Sequence, residues 1–357
     1  MKKTLLILAL ALTTSATFAQ EAATPAATTF AGSADMYYKY DFSDQQGNGQ
    51  TSFTNSHNSF ELGMATIQAS HKSGKGSVFV DLGFGTRASE FTYNDDATSF
   101  MIKQLTFTYD LSDKFKVIAG SFATHIGYEL VDAIGNKNYS MSYAFTNGPF
   151  FNTGVKAQYT SGKFSFMAGV TNPTDFKRAV EAGSTQKTFI GQIGYTGETG
   201  SAFFNVTSGS ANPNPSFGEQ GGGSSTNATQ IDVVASKKVN DKFNLGFNGT
   251  YRMLTDDFDS DLDGNWFSLV GYATYAAKEN LSLAYRLEYF NRDEALTGVD
   301  GGISILGNTL SLNYKTGNLT IIPEIRFDSA SEEVFSDSDA LGTKTNAYVL
   351  LGTTYSF

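Results

Sequence analysis

The sequence has no cysteine, only 6 prolines and a single tryptophan in 357 residues. Without thiols there is no disulfide framework, no thiolate metal site, no cysteine nucleophile and no lipidated lipobox cysteine. Charge is also sparse, at 17% against the roughly 25% of an ordinary soluble domain. A formal charge of −10 excludes a protein that wraps nucleic acid, which needs clustered Lys and Arg. Beyond the N-terminus no apolar run approaches the roughly 18 residues of a transmembrane helix, so none is expected in the mature chain. Collagen, coiled coil and wholesale disorder are excluded by composition. Glycine, Phe and Tyr are plentiful, at 36, 30 and 18 residues.

The first segment reads as an export signal. Lys2 and Lys3 are followed by an apolar run from Leu5 to Leu12, and Thr17-Phe18-Ala19 offers small residues at a cleavage site. Residues 1–19 are therefore expected to be a signal peptide, residues 20–29 a flexible Ala/Thr-rich lead-in, and residues 30–357 the folded body.

That body alternates with period two. Met36, Tyr38, Tyr40 and Phe42 fall on one face, against Asp35, Tyr37, Lys39 and Asp41. Leu281, Leu283, Tyr285, Leu287 and Tyr289 oppose Ser282, Ala284, Arg286, Glu288 and Arg292. Successive strand side chains point to opposite faces, so each such segment is a strand with one apolar and one polar face. Sixteen strands are expected, at about 30–42, 58–72, 77–87, 99–110, 115–124, 150–160, 163–173, 188–196, 200–208, 227–239, 243–255, 265–276, 281–292, 302–315, 318–328 and 344–357. Short turns such as Ser161-Gly162 and Thr316-Gly317 alternate strictly with longer connections such as 43–57, 125–149 and 209–226. Tight turns at one end and long loops at the other mark an up-and-down barrel in an outer membrane. The last strand places Val349, Leu351, Thr353, Tyr355 and the terminal Phe357 on one face, the pattern read by outer-membrane barrel assembly machinery.

The fold class is therefore all-β: an antiparallel up-and-down transmembrane β-barrel of about 16 strands in the outer membrane of a Gram-negative bacterium. A closed barrel satisfies every backbone N–H and C=O without a free edge. Apolar side chains turn to lipid and polar ones inward to water, which is how a chain with a mean hydropathy of −0.21 can live in a membrane. Sixteen strands leave an aqueous lumen, where eight would be filled by side chains.

Residues 125–149 form the third long loop, at the position where a porin loop folds into the barrel and narrows it. The run Ala119 to Glu129, then Asn138-Tyr139-Ser140-Met141-Ser142, Pro149 to Gly154 and Val170 to Asp175 resembles the central signature of the OmpL-like beta-barrel porin family. Asp35-Met36-Tyr37-Tyr38 and Pro323 to Asp328 are similar to that family's first and penultimate strands. Thr174 and Asn152 stand where an aromatic residue and often a histidine are expected. The resemblance implies a porin-like barrel passing small polar solutes or ions.

Alternation directs Arg87, Lys103, Lys156, Arg252, Arg286, Arg292, Arg326, Glu61, Asp81, Glu288 and Glu324 toward the lumen. An Arg or Lys facing lipid at mid-depth would cost about 2–4 kcal/mol. Glu129 and Asp132 on the third loop are expected to face part of the Arg set across the constriction, giving a transverse field. The plainer alternative is that these charges pair with one another. The loop at 256–263 carries Asp259, Asp261, Asp263 and Gly264, the opening of a calcium loop, but position twelve would be Val270, so it reads as a solvated acidic loop. Gly83-Phe84-Gly85 lacks the following helix of a dinucleotide site. The 3 histidines lie apart, without zinc spacing, and an outer-rim protease pairing His57 or His125 with an Asp or Glu is the weakest of the readings. No metal, cofactor or enzyme chemistry is expected. The expected partners are outer-membrane lipid, the assembly machinery through Phe357, and small polar solutes, with a homo-oligomer left open. The alternative function is a surface binding or adhesion protein anchored by its barrel.

Overall fold

The computed structural model describes residues 27–92, 101–177, 187–210, 226–256 and 263–357. The signal peptide, most of the lead-in and the acidic positions 257–262 lie outside the described residues. Sixteen strands close into one barrel, each hydrogen-bonded to its neighbours in chain order and the last to the first. They are β1 (Thr29–Asp41), β2 (Ser59–Ser73), β3 (Gly76–Phe84), β4 (Ile102–Asp110), β5 (Phe115–Ala123), β6 (Phe151–Ser161), β7 (Phe164–Thr171), β8 (Thr188–Thr196), β9 (Gly200–Ser210), β10 (Thr226–Lys238), β11 (Phe243–Asp256), β12 (Gly264–Lys278), β13 (Leu281–Arg292), β14 (Ile303–Thr316), β15 (Leu319–Ala330) and β18 (Thr345–Ser356). A small hairpin, β16 (Phe335–Ser336) and β17 (Gly342–Thr343), decorates the last long loop.

Every pairing is antiparallel, and the seam between β1 and β18 runs from Ser33↔Ser356 to Asp41↔Tyr348. The period-two pattern decides which face meets lipid. Phe247, Leu283 and Leu287 are each more than 40% exposed on the outer wall, whereas Arg252 and Arg286 are 8% and 1% exposed within. This inversion is what a hydrocarbon solvent selects.

Two departures from regular pairing matter for the interior. Gly63 and Met64 of β2 together oppose Asp35 of β1, and Lys103 is the extra residue where β4 passes from Gln104↔Asp81 to Ile102↔Leu82. Bulges re-aim side chains. Asp35 accepts from the Met64 N–H at 3.2 Å and leans over Gly63, where a Cβ would lie 1.8 Å from its Oδ2.

The strand expected over 77–87 ends at Phe84. Gly85, with φ of 115°, turns the chain into α1 (Thr86–Phe91), so Arg87 stands on a helix in the second long loop rather than on a strand. Two further short helices are α2 (Tyr143–Thr146) and α3 (Glu294–Thr297). Gly264 is the first residue of β12 and Val270 faces inward, fully buried, so the calcium pattern runs into a barrel strand.

Candidate functional site

The interior is occupied by the loop between β5 and β6. Its first residues cross the barrel. His125 Nε2 lies 3.0 Å from the Val206 carbonyl of β9, the Gly127 N–H donates to Asp232 Oδ1 of β10 at 3.1 Å, and the Tyr128 ring stacks 4.3 Å from Tyr272 of β12. The chain then turns back, so that Asp132 reaches Lys103 of β4. It next runs along the wall formed by β1, β18, β15 and β14. Tyr139 Oη donates to Asp35 at 2.5 Å, Asn138 donates to Ser311 at 2.7 Å, and the Lys137 carbonyl accepts from Asn313 at 2.9 Å. It returns through α2 to Asn147, whose carbonyl accepts from Arg252 of β11 at 3.1 Å.

Wall side chains hold this backbone from both signs of charge. Glu288 accepts the N–H groups of Tyr143 and Ala144, each at 2.8 Å, and Glu324 accepts those of Tyr139 and Ser140 at 2.7 and 3.2 Å. Arg286 donates to the carbonyls of Ser140 and Met141, and Arg326 donates to Met141 at 2.7 Å. Such charge-assisted bonds are stronger than neutral ones, and breaking one inside a dry interior strands its partner. Ser142 begins α2 by accepting from the Phe145 N–H.

Glycines in the wall make sockets for the loop's rings. A Cβ on Gly352 would sit 2.3 Å from Tyr139, and one on Gly246 would sit 2.6 Å from Tyr128. Burial pushes the Tyr139 and Tyr143 phenols well above their ordinary range. Burial pushes His125 down to about 4, keeping its imidazole neutral at ordinary pH.

Two loop acids are in contact with wall cations. Glu129 meets Arg286 at 2.6 Å, and Asp132 meets Lys103 at 2.6 Å, with Asp81 on the other side of the same ammonium at 3.1 Å.

The other expected inward residues lie on the same interior. Arg87 packs its guanidinium over the Phe53 and Tyr139 rings, 3.6 Å from Asp35, and donates to the Val131 carbonyl. Arg292 is 8% exposed at the end of β13. Glu61 accepts from Tyr37 Oη at 2.5 Å. Lys156 stands over the Phe122 ring at 3.8 Å.

Several interior residues lie outside the set expected from the sequence. Asp232 collects Gly127, Asn205 and Asn248, and Glu90 of α1 accepts the Phe53 N–H at 3.0 Å. Burial raises the Glu90 carboxyl above its ordinary value. Alternation placed Lys39 and Asp41 inward, and they lie 3.8 Å apart beside Tyr348.

The interior is also drier than a polar inner face implies. Phe53, Phe91, Met141, Phe145, Phe150 and Phe151 form one apolar cluster between the first three long loops and β6. Tyr143, Trp266, Phe290, Ile305, Ala330 and Phe335 form another. The inward Phe290, Ile305 and Trp266 interrupt the polar face where α2 covers them.

The family described as "beta-barrel porin-2, OmpL-like" matches residues 27–357. No curated protein matches the sequence. Among solved structures, the anion-selective porin from Comamonas acidovorans is 13% identical with a TM-score of 0.63, over 93% of this chain and 100% of that one. The in-vitro folded OmpT of Vibrio cholerae in its trimer form is 12% identical with a TM-score of 0.61, over 94% and 100%. The outer membrane channel DcaP of Acinetobacter baumannii is 12% identical with a TM-score of 0.58, over 93% and 98%. These likenesses are of fold. With the family matched over the whole barrel, the chain belongs to the OmpL-like beta-barrel porins of the Gram-negative outer membrane.

Proposed function

We propose that the barrel is a passive-diffusion porin for small polar solutes or ions, narrowed by the loop 125–149. The observation that carries this reading is a closed sixteen-strand barrel whose long third loop lies inside it, gripped by wall charges. A loop held at both edges of a lumen sets a fixed cross-section, and fixed charges at close quarters sort solutes. Arg87, Lys103, Lys156, Arg252, Arg286, Glu288, Arg292, Glu324 and Arg326 serve as lining or as anchors of the loop. Glu129 and Asp132 serve as its own attachment points.

The match to a porin family supports a channel rather than an enzyme. The terminal Phe357 is the feature read by the assembly machinery, and a homo-oligomer is the working assembly.

Purified refolded protein in planar lipid bilayers tests the function. Stepwise conductance is expected. A folded barrel that gives no steps would refute it and favour the anchor of a surface binding protein.

A further inference from the structure

Large apolar side chains with much exposed surface belong on the outside of a membrane barrel, where hydrocarbon covers them. Three lie inside instead, all on the inserted loop: Tyr128, Leu130 and Ile134, which are 36%, 55% and 39% exposed. Among the described residues, the others of comparable exposure lie on the outer wall, at strand ends, in turns or in the outer loops. The Tyr128 ring is stacked on Tyr272. Leu130 and Ile134 present aliphatic surface to the water of the lumen.

The segment that carries them crosses the barrel. Glu129 is tied to Arg286 of β13, and Asp132 to Lys103 of β4. Around the closed ring, β13 and β4 stand seven strands apart one way and nine the other, so the two anchors are on nearly opposite walls. Leu130 sits between them, in the middle of the cross-section. The crossing is stiff. The Asn136 side chain accepts from the Leu130 N–H at 2.9 Å and donates to the Leu130 carbonyl at 2.6 Å, which closes the segment on itself. Arg87 donates to the Val131 carbonyl at 3.2 Å. Ala133 is packed among Tyr37, Tyr139, Tyr348 and Leu350. Ile134 follows it in the short 3-10 turn Ala133–Gly135 and points away into the open space. A Cβ on Gly135 would lie 2.6 Å from Leu130 Cδ1, so the leucine rests on a residue without a side chain.

Apolar surface held rigidly in water is unfavourable by itself, and such patches mark places of contact. In a lumen the contact is with the solute in transit. Hydrated ions and fully hydroxylated molecules find no hydrogen bond there to replace those to water. A solute with an alkyl or aromatic part gains by laying that part against the loop.

We infer that Leu130 and Ile134 form an apolar lip at the constriction, a contact site for permeating solutes that join a polar group to an alkyl or aromatic one, and that the channel favours these over equally sized solutes without the apolar part. This rests on the porin reading.

The test is the entry of valine and threonine, zwitterions of nearly equal shape in which a methyl group replaces a hydroxyl, into liposomes carrying the full-length mature protein. Osmotic swelling gives the rates, and those of protein-free liposomes are subtracted. Wild type would be compared with Leu130→Ser, Ile134→Ser, the double serine variant, Leu130→Met/Ile134→Val, and Val239→Thr as a control at an exposed hairpin turn. Valine is expected to enter wild type about two- to fourfold faster than threonine, the weight of one methylene-sized apolar contact. Each serine variant should lower that ratio and the double variant should bring it close to unity. Leu130→Met/Ile134→Val and Val239→Thr should keep it. Conductance steps in planar bilayers establish that each variant is folded and open, and the single variants decide the matter should the pair fail to conduct. No preference for valine in conducting wild type, or an undiminished ratio in the serine variants, would overturn the lip while leaving the porin reading intact. Folded wild type that gives no conductance and admits neither amino acid would remove both.

Discussion

Arg286 of β13 donates to Glu129 of the inserted loop at 2.6 Å, and the two side chains are 1% and 4% exposed. The pair ties wall to loop in a place that water does not reach. Arg286→Ala would leave a buried carboxylate without its cation, a loss of about 3–5 kcal/mol. We predict an earlier urea unfolding midpoint, followed by the fluorescence of Trp266, which is 2% exposed beside Phe290. An unchanged midpoint would refute the role given to this pair.

Glu288 and Glu324 each hold two consecutive backbone N–H groups of the loop. The Glu288→Ala/Glu324→Ala double variant strands all of them, at about 1–3 kcal/mol for each buried group left unsatisfied. The loop should leave the wall, and single-channel conductance and current noise should both rise. Wild-type conductance and noise in that variant would show that the loop does not limit the pore.

His125 gives the loop a pH dependence with a definite sign. Its folded pKa is about 4, below the ordinary 6.5, because burial disfavours the imidazolium. The native state therefore gains stability that is complete above about pH 6.5 and is lost as pH falls to about 4, on the order of 3 kcal/mol in all. Glu90 has the opposite sign, because its raised carboxyl favours the folded state at low pH. The difference between wild type and His125→Gln isolates the histidine. That difference should shrink between pH 7 and pH 4. A constant gap would exclude titration of His125.

Phe357 and Gly32 exchange backbone hydrogen bonds, each at 3.0 Å, and a Cβ on Gly32 would lie 2.3 Å from the Phe357 ring. Gly32→Val should lower the fraction of heat-resistant, fast-migrating barrel on a gel without boiling. Phe357→Ala in the same background should restore part of it, since it removes the ring that collides. No rescue would place the fault elsewhere, for example at the Thr66 carbonyl 2.6 Å away.

The barrel was legible because lipid enforces one rule on every strand. Leu283, Tyr285 and Leu287 look out, and Arg286 and Glu288 look in, from periodicity alone. Strand ends were legible only where turn residues stood. Gly85 ended β3 three residues before the expected boundary, and it lies close against Gly63 and Met64 at the bulge of the neighbouring strand, a non-local contact. The inward direction of Arg286 and Glu129 could be read, but their contact could not. It depends on the path of a 27-residue loop, 124–150, whose course is set by partners on nine different strands. Asp232, an acid among valines in β10, was a local signal that could have been used.

The Phe53–Phe91–Phe150 cluster has a consequence for how the molecule responds to its surroundings. The outer wall owes its stability to an oily environment, whereas this knot of rings excludes water by itself, as the centre of a small globular protein does. The two therefore answer to different agents. Exchanging lipid for a harsher surfactant attacks the strands from outside, while chaotropes that dissolve aromatic groups attack from inside. Such a barrel can lose its knot and keep its staves.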